Sequence, residues 1–81
     1  MEDRKTIVMS SSKNDKSMKE IAEIVYGALE ERGYNPIDQM VGYILSGDPS
    51  YITSHNNARN LISRIDRDEL VEEILRTYLN K

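Results

Sequence analysis

The stretch ERGYNPIDQMVGYILSGDP, residues 31–49, contains the helix stops and starts that decide the fold. Gly33 suits the left-handed position that closes a helix. The Asn-Pro pair at 35–36 supplies an N-cap followed by proline at the first helical position. The Ser-Gly pair at 46–47 predicts the end of this second helix, and the Asp-Pro pair at 48–49 repeats the cap-and-proline pattern, so a single short helical turn should follow.

Apolar residues before and inside this stretch recur at helical spacing. Ser17 and Glu20 form a capping-box pattern at the start of the first helix. Its apolar positions are Met18, Ile21, Ala22, Val25, Ala28 and Leu29. Those of the second helix are Ile37, Met40, Val41, Ile44 and Leu45. This second stripe is broad, so Gly42 within it predicts the close approach of another helix.

Two further helices are predicted after a polar connector at 53–57. The apolar positions of the third helix are Ala58, Leu61, Ile62 and Ile65. Asp66 and Glu69 then form a second cap pattern, and the apolar positions that follow are Leu70, Val71, Ile74, Leu75, Tyr78 and Leu79. Acidic residues stabilise a helix N-terminus, so we expect a break or kink near Asp66 rather than one continuous helix.

The sequence predicts an all-α fold, because no stretch alternates with the period of two that indicates a strand. We expect a small orthogonal bundle of about four helices plus a short helical turn, formed by residues 16–81. Residues 1–15 include a polar run at 10–15 that cannot supply a packed face, which predicts a disordered N-terminal tail. A chain of 81 residues has a thin core. Pairing with a second copy often supplies the missing stability, so we also expect a homodimer.

Composition excludes several classes of protein. The chain has no cysteine, which excludes disulfides, thiolate metal sites and a cysteine nucleophile, and favours the cytoplasm. The formal net charge of −3 argues against general nucleic-acid binding, which needs clustered lysine and arginine. No apolar stretch reaches the length of a signal peptide or membrane span, so we expect no direct membrane insertion.

No pattern in the sequence indicates catalysis. His55 is the single histidine, and no G-x-S-x-G elbow presents a serine to it. Neither an H-E-x-x-H pattern nor a calcium-loop pattern occurs. The glycines at 42 and 47 lack the preceding strand and the G-K-[ST] of a phosphate loop. We therefore expect no enzymatic activity, no cofactor and no metal site.

Three arginines form the strongest candidate binding surface. Arg64 and Arg67 are three residues apart and share a helix face, and Arg59 precedes Arg64 by five, so they form a loose stripe. A guanidinium group binds a carboxylate or a phosphate through two parallel hydrogen bonds. We predict a partner-binding surface here for an acidic protein or a phosphate. The alternative is an ordinary exposed face, partly neutralised by Asp66 and Asp68.

Two long runs of the sequence then suggest a protein family. ALEERGYNP at 28–36 and VGYILSGDP at 41–49 resemble the hallmark of the IreB/ReoM family of regulatory phosphoproteins, and the likeness continues to residue 79. The resemblance implies a small helical homodimer from Gram-positive bacteria. It also implies phosphorylation of an N-terminal threonine by a membrane Ser/Thr kinase with PASTA domains. Thr6 matches that threonine.

The resemblance also implies a biological role. Family members are similar to adaptors or modulators that act on Clp-protease turnover of the enzyme committing UDP-N-acetylglucosamine to peptidoglycan synthesis. Such control would affect cell-wall synthesis and antibiotic tolerance. Two features depart from the family pattern: Ile-Val-Met at 7–9 follows Thr6 where aromatic residues are usual, and Ser54 and Ser63 stand where arginine is common.

Two alternative functions remain open at this point. One is a helix-turn-helix DNA-binding regulator whose arginine-bearing helix enters the major groove. The net acidity of the chain opposes this alternative. The other is a structural dimer or assembly factor without a phosphorylation switch.

Overall fold

The computed structural model describes residues 16–81. This part of the chain contains four α-helices and two short 3-10 turns, and no strand. The elements are α1 (Met18–Glu31), α2 (Pro36–Ser46), a 3-10 turn (Pro49–Tyr51), a second 3-10 turn (His55–Asn57), α3 (Ala58–Ser63) and α4 (Arg67–Leu79). The all-α prediction is confirmed. The sequence predicts the first of the two short turns but not the second, because the pattern at 53–57 indicates only a polar connector.

Local capping explains where α1 begins. The backbone N–H of Glu20 donates to Ser17 Oγ at 3.1 Å, and the backbone N–H of Ser17 donates to Glu20 Oε1 at 2.9 Å. These reciprocal bonds satisfy two N–H groups that have no partner inside the helix, which is the predicted capping box.

The turn between α1 and α2 is also set by local chemistry. Gly33 has a φ of +84°, and the N–H of Tyr34 donates to the carbonyl of Leu29 at 3.0 Å, as in a Schellman motif. Asn35 then caps α2, since its Oδ1 accepts from the N–H of Asp38 at 3.2 Å. Only four residues, 32–35, therefore separate the end of α1 from the start of α2, and both helix ends lie where the sequence predicts them.

The core lies between α1, α2, α3 and the segment that connects α2 to α3. Its buried members are Ile21, Val25, Ala28, Leu29, Tyr43, Ile52, Ala58, Leu61 and Ile62. Burial of one side chain of the size of Leu29 or Ile62 contributes about 1.5–3 kcal/mol. Ile52 is fully buried although it lies outside any helix, so the connector contributes directly to the core.

The predicted break between the last two helices is confirmed. Helix α3 ends at Ser63, and the N–H of Ile65 donates to the carbonyl of Ile62 at 3.1 Å in a tightened last turn. Asp66 has extended backbone angles and occupies the N-cap position of α4. Its side chain makes no capping hydrogen bond, so the predicted Asp66 and Glu69 cap pair is wrong in that respect.

Helix α4 contributes little to the core. Leu70 is its one buried residue, whereas Ile74, Leu75, Tyr78 and Leu79 are 47%, 51%, 84% and 55% exposed. These side chains form the predicted apolar stripe, but beyond Leu70 they remain largely open to solvent. None of the helices in residues 16–81 combines the length and the apolar character needed to cross a membrane.

The predicted close approach at Gly42 is present, but its partner is not a helix. The ring of Tyr51, in the first 3-10 turn, lies so near Gly42 that an added Cβ atom would overlap it. Gln39 also donates from Nε2 to the carbonyl of Tyr51 at 3.0 Å. The first 3-10 turn is therefore fixed to the side of α2 at two points.

Candidate functional site

Arg67 closes the C-terminal end of α2. Its Nη1 donates to the carbonyl oxygen of Ile44 at 2.9 Å. That carbonyl belongs to the last four of the helix, which lack partners within it. The guanidinium also lies over Gly47, where a Cβ atom would come within 2.7 Å of Arg67 Cζ. This predicted site residue thus has a structural contact, made possible by a glycine at 47.

Arg59 is attached to the connector on the other side. Its Nε donates to the carbonyl oxygen of Ile52 at 2.8 Å in a partly buried position. Arg67 therefore holds the start of the 47–52 segment and Arg59 holds its end. Two of the three predicted arginines use part of their hydrogen-bonding capacity within the fold.

The segment that these arginines hold presents Asp48 to solvent. Asp48 Oδ1 accepts from the backbone N–H of Ser50 at 3.0 Å. This backbone hydrogen bond, supported by the Ser50 hydroxyl, lowers the pKa of the Asp48 carboxyl from its usual value. The Asp48 side chain also caps the 3-10 turn that begins at Pro49.

Arg64 differs from the other two arginines. It is exposed, and its guanidinium makes no hydrogen bond or ion pair with any other residue between 16 and 81. It lines an open recess of about 270 Å³ between α1, α3 and α4, which we name the Arg64 recess. The lining residues of the Arg64 recess are Lys16, Met18, Ile21, Leu61, Arg64, Ile65 and Glu69.

The three arginines thus have three different sets of neighbours. Arg59 contacts the connector, Arg67 contacts the end of α2, and Arg64 faces the start of α1. Sequence spacing indicated a shared face but could not show this division, because the break at Asp66 and the tertiary contacts redirect the side chains. The combined partner-binding surface stays a prediction.

A larger apolar groove lies between α1, α2 and α4, and the sequence did not predict it as a site. Its volume is about 400 Å³. It is lined by Met18, Lys19, Ala22, Met40, Ile44, Leu70, Glu73, Ile74, Thr77 and Tyr78. Helical periodicity supplied the signal, since the stripe on α4 was evident. The sequence could not reveal that the body of the protein would leave this stripe uncovered.

A comparison with protein-family models shows the family to which the chain belongs. The model of the IreB regulatory phosphoprotein family matches residues 4–80. The chain belongs to the IreB family of regulatory phosphoproteins. The resemblance seen in the glycine- and proline-punctuated runs is thus confirmed. The IreB match includes all three arginines, and it also includes Thr6, which lies outside the residues that the structure describes together with the rest of the 1–15 segment.

His55 has a structural contact in this IreB-family fold. Its Nε2 donates to Glu31 Oε1 at 2.7 Å, which joins the second 3-10 turn to the last residue of α1. The turn contains two consecutive residues in the left-handed region, Asn56 and Asn57, with φ of 54° and 63°. Asparagine tolerates this conformation better than most residues. The contact anchors a turn whose backbone is otherwise unfavourable.

Residues 16–81 contain no group of three or more side chains from histidine, cysteine, aspartate and glutamate that could hold a metal ion. The acids of this IreB-family chain are distributed along the surface. Glu72 pairs with Arg76 at 3.0 Å, and Glu23 lies 4.0 Å from Lys19. Exposed pairs of this kind contribute at most about 1 kcal/mol each.

Proposed function

We propose that this chain is a non-enzymatic adaptor whose action is controlled by phosphorylation of Thr6. The observation that carries the proposal is the match of residues 4–80 to a family of regulatory phosphoproteins. Phosphorylation adds about −1.5 to −2 charges and three acceptor oxygens. In this proposal, Thr6 is the residue that is phosphorylated, and the domain at 16–81 binds a protein partner.

The partner-binding residues in this proposal are Arg59, Arg64 and Arg67. Arg64 supports it most directly, since its guanidinium is exposed and has no partner within residues 16–81. Arg59 and Arg67 each use one N–H group in a hydrogen bond to a backbone carbonyl, and a guanidinium has five such N–H donors. Both side chains therefore retain donors for a carboxylate or phosphate while they hold the 47–52 segment in place.

The proposal includes a homodimer formed through α4 and the apolar groove. Four large apolar side chains of α4 are about half or more exposed, and two of them, Ile74 and Tyr78, line the groove between α1, α2 and α4. A second copy supplies the same apolar stripe, so the contact is self-complementary. A stable interface buries about 800 Å² on each partner, which needs a continuous face of this kind rather than single exposed residues.

The proposed setting is cytoplasmic, in a Gram-positive bacterium. There a membrane Ser/Thr kinase with PASTA domains phosphorylates Thr6. The partner is a Clp protease or its adaptor, and the affected target is the enzyme that commits UDP-N-acetylglucosamine to peptidoglycan synthesis. Membership of the IreB family supports this setting. Control of wall synthesis would in turn affect tolerance to wall-active antibiotics.

Residues 16–81 offer little support for the DNA-binding alternative. Helix α3, which would have to serve as the recognition helix, has six residues and is about 9 Å long. The Nε of Arg59 on this helix faces the connector rather than a groove-filling surface. The net charge of −3 also opposes binding to phosphates.

Phosphorylation of the full chain by its kinase tests the proposal. We expect Thr6→Ala to remove most of the incorporated phosphate. Phosphate found mainly on Ser10 to Ser12 or on Thr53 would contradict the assignment of Thr6. The effect on turnover is tested separately with Arg64→Ala, and Arg76→Ala is the matched control because Arg76 is an exposed arginine paired within α4. Unchanged turnover of the wall enzyme with Arg64→Ala would count against the arginine surface.

A further inference from the structure

The Arg64 recess combines an apolar floor with two cations at its rim. Ile21 and Leu61 are buried at its base, and Met18 and Ile65 are partly exposed beside them. Lys16 and Arg64 bring two positive charges, and Glu69 brings one negative charge. The recess is therefore suited to a ligand that carries an anion next to a small apolar group.

A phosphate ester fits the charged part of this recess. The guanidinium of Arg64 can bind two phosphate oxygens through parallel hydrogen bonds, and Lys16 adds a point charge. The balance of two cations against one acid favours a dianion over a singly charged carboxylate. Glu69 opposes the binding of either anion.

The 1–15 segment continues directly from this recess. Lys16, which lines it, is the residue that follows the segment. Thr6 lies ten residues before Lys16, a length of chain that spans at most about 33–36 Å. A group on a tether this short has an effective concentration on the order of millimolar at a site within its reach. A phosphate on Thr6 therefore needs only a weak intrinsic affinity to occupy the recess.

The residues that follow Thr6 match the apolar floor. Ile7, Val8 and Met9 are the one apolar run in the 1–15 segment, and they lie next to the threonine. We propose that the Arg64 recess binds the chain's own 1–15 segment when Thr6 is phosphorylated, with the phosphate at Arg64 and Lys16 and the apolar run on the floor. This inference rests on the proposed function in one respect only, the choice of Thr6 as the phosphorylated residue.

Binding of this kind gives phosphorylation a direct effect on the partner surface. Arg64 is exposed when the recess is empty, and it is covered when the phosphorylated segment is bound. Phosphorylation would therefore withdraw Arg64 from a partner without any rearrangement of the helices. The 1–15 segment, once phosphorylated, thus competes with the partner for Arg64.

The test uses the full chain with phosphothreonine installed at position 6 by synthesis. Because the chain has no cysteine, Asp3→Cys provides one site for a nitroxide label. Paramagnetic broadening of the backbone amides of residues 61–69 is measured with and without the phosphate. We expect at least a twofold increase in broadening on phosphorylation. Arg64→Gln should remove the increase, and Glu69→Gln should enlarge it.

Arg76→Gln is the matched control, since it removes an arginine outside the recess and should leave the increase unchanged. Circular dichroism checks that each variant stays helical, and Lys16→Gln replaces Arg64→Gln if the latter does not. Equal broadening with and without phosphate would overturn the inference. An increase that persists in the Arg64→Gln and Lys16→Gln variants, or that grows with protein concentration, would overturn it as well. The phosphate is installed chemically, so failure of a kinase to modify Thr6 would refute the proposed function without affecting this result.

Discussion

The guanidinium of Arg67, the first residue of α4, donates to the carbonyl oxygen of Ile44 in the last turn of α2. One helix thus supplies the cap for the end of another, and the contact crosses 23 residues of sequence. It also places a positive charge at a helix C-terminus, where the helix dipole favours cations. The stability of α2 therefore depends on a residue that is also proposed to bind a partner.

Replacing Arg67 should weaken the fold as well as any partner contact. We expect Arg67→Ala to lower the free energy of unfolding by about 1–2 kcal/mol, through the lost hydrogen bond and the uncapped carbonyl. Urea unfolding followed by circular dichroism measures the change. Arg76→Ala is the control and should stay within about 0.5 kcal/mol, since the one side-chain contact of Arg76 within residues 16–81 is an exposed pair with Glu72. Equal stability of the two variants would refute the capping role of Arg67.

Gly47 should be intolerant of a side chain for two reasons. Its φ of +76° is unfavourable for alanine, and the added Cβ would press against the guanidinium of Arg67. We expect Gly47→Ala to destabilise the protein by about 1–2 kcal/mol. Gly27→Ala is the comparison variant, because Gly27 lies inside α1 and an added Cβ would meet open space. This variant should stabilise the protein by about 0.5–1 kcal/mol. The unfolding temperatures of the two variants are compared with that of the wild type. Shifts of the same sign in both variants would contradict this account.

Asp48 should contribute to the acid sensitivity of the fold. The hydrogen bonds from Ser50 lower its pKa in the folded protein below the value of the unfolded chain. The unfolded state therefore binds the proton more readily, and the contribution of Asp48 is present above the unfolded pKa, near 3.8. It is lost as the pH falls through the folded pKa.

The corresponding measurement is the unfolding temperature of the wild type and of Asp48→Asn between about pH 6 and pH 2.5. The variant should show a shallower decline on the acid side. Asp66→Asn is the control, because the Asp66 side chain makes no capping hydrogen bond. Parallel curves for the wild type and Asp48→Asn would exclude the contribution of Asp48.

Disrupting the α4 stripe should separate the two proposed copies. We expect the double variant Ile74→Asp and Tyr78→Ser to be monomeric in sedimentation at concentrations where the wild type is dimeric. Tyr34→Ser is the control, since Tyr34 is 51% exposed but lies at the turn between α1 and α2. A monomeric wild type would contradict the proposed homodimer, and a variant that still dimerises would show that a different surface is used.

The sequence predicted the helix ends well because capping is local. Ser17, Gly33 and Asn35 each act on residues within five positions of themselves, so their side-chain chemistry and spacing contain the necessary information. The break before α4 was predicted for the same reason, although the Asp66 side chain does not form the expected cap.

Contacts between distant residues could not be predicted in the same way. The side chains of Arg59 and Arg67 donate hydrogen bonds to backbone carbonyls. Every residue has a backbone carbonyl, so no sequence pattern identifies Ile52 or Ile44 as the acceptor. The second 3-10 turn was missed because it depends on left-handed conformations at Asn56 and Asn57. The His55 contact with Glu31 stabilises those conformations from 24 residues away.

The exposed stripe on α4 has a consequence for when the helix forms. Leu70 is the one residue of α4 that is buried, and an isolated helix of thirteen residues is marginal in water. In the proposed homodimer, the second copy would therefore supply most of the order of α4 by covering its apolar side. Folding of this helix and dimerisation would then be a single event. The concentration of the chain, rather than the helix propensity of α4, would set the fraction of chains in which α4 is formed.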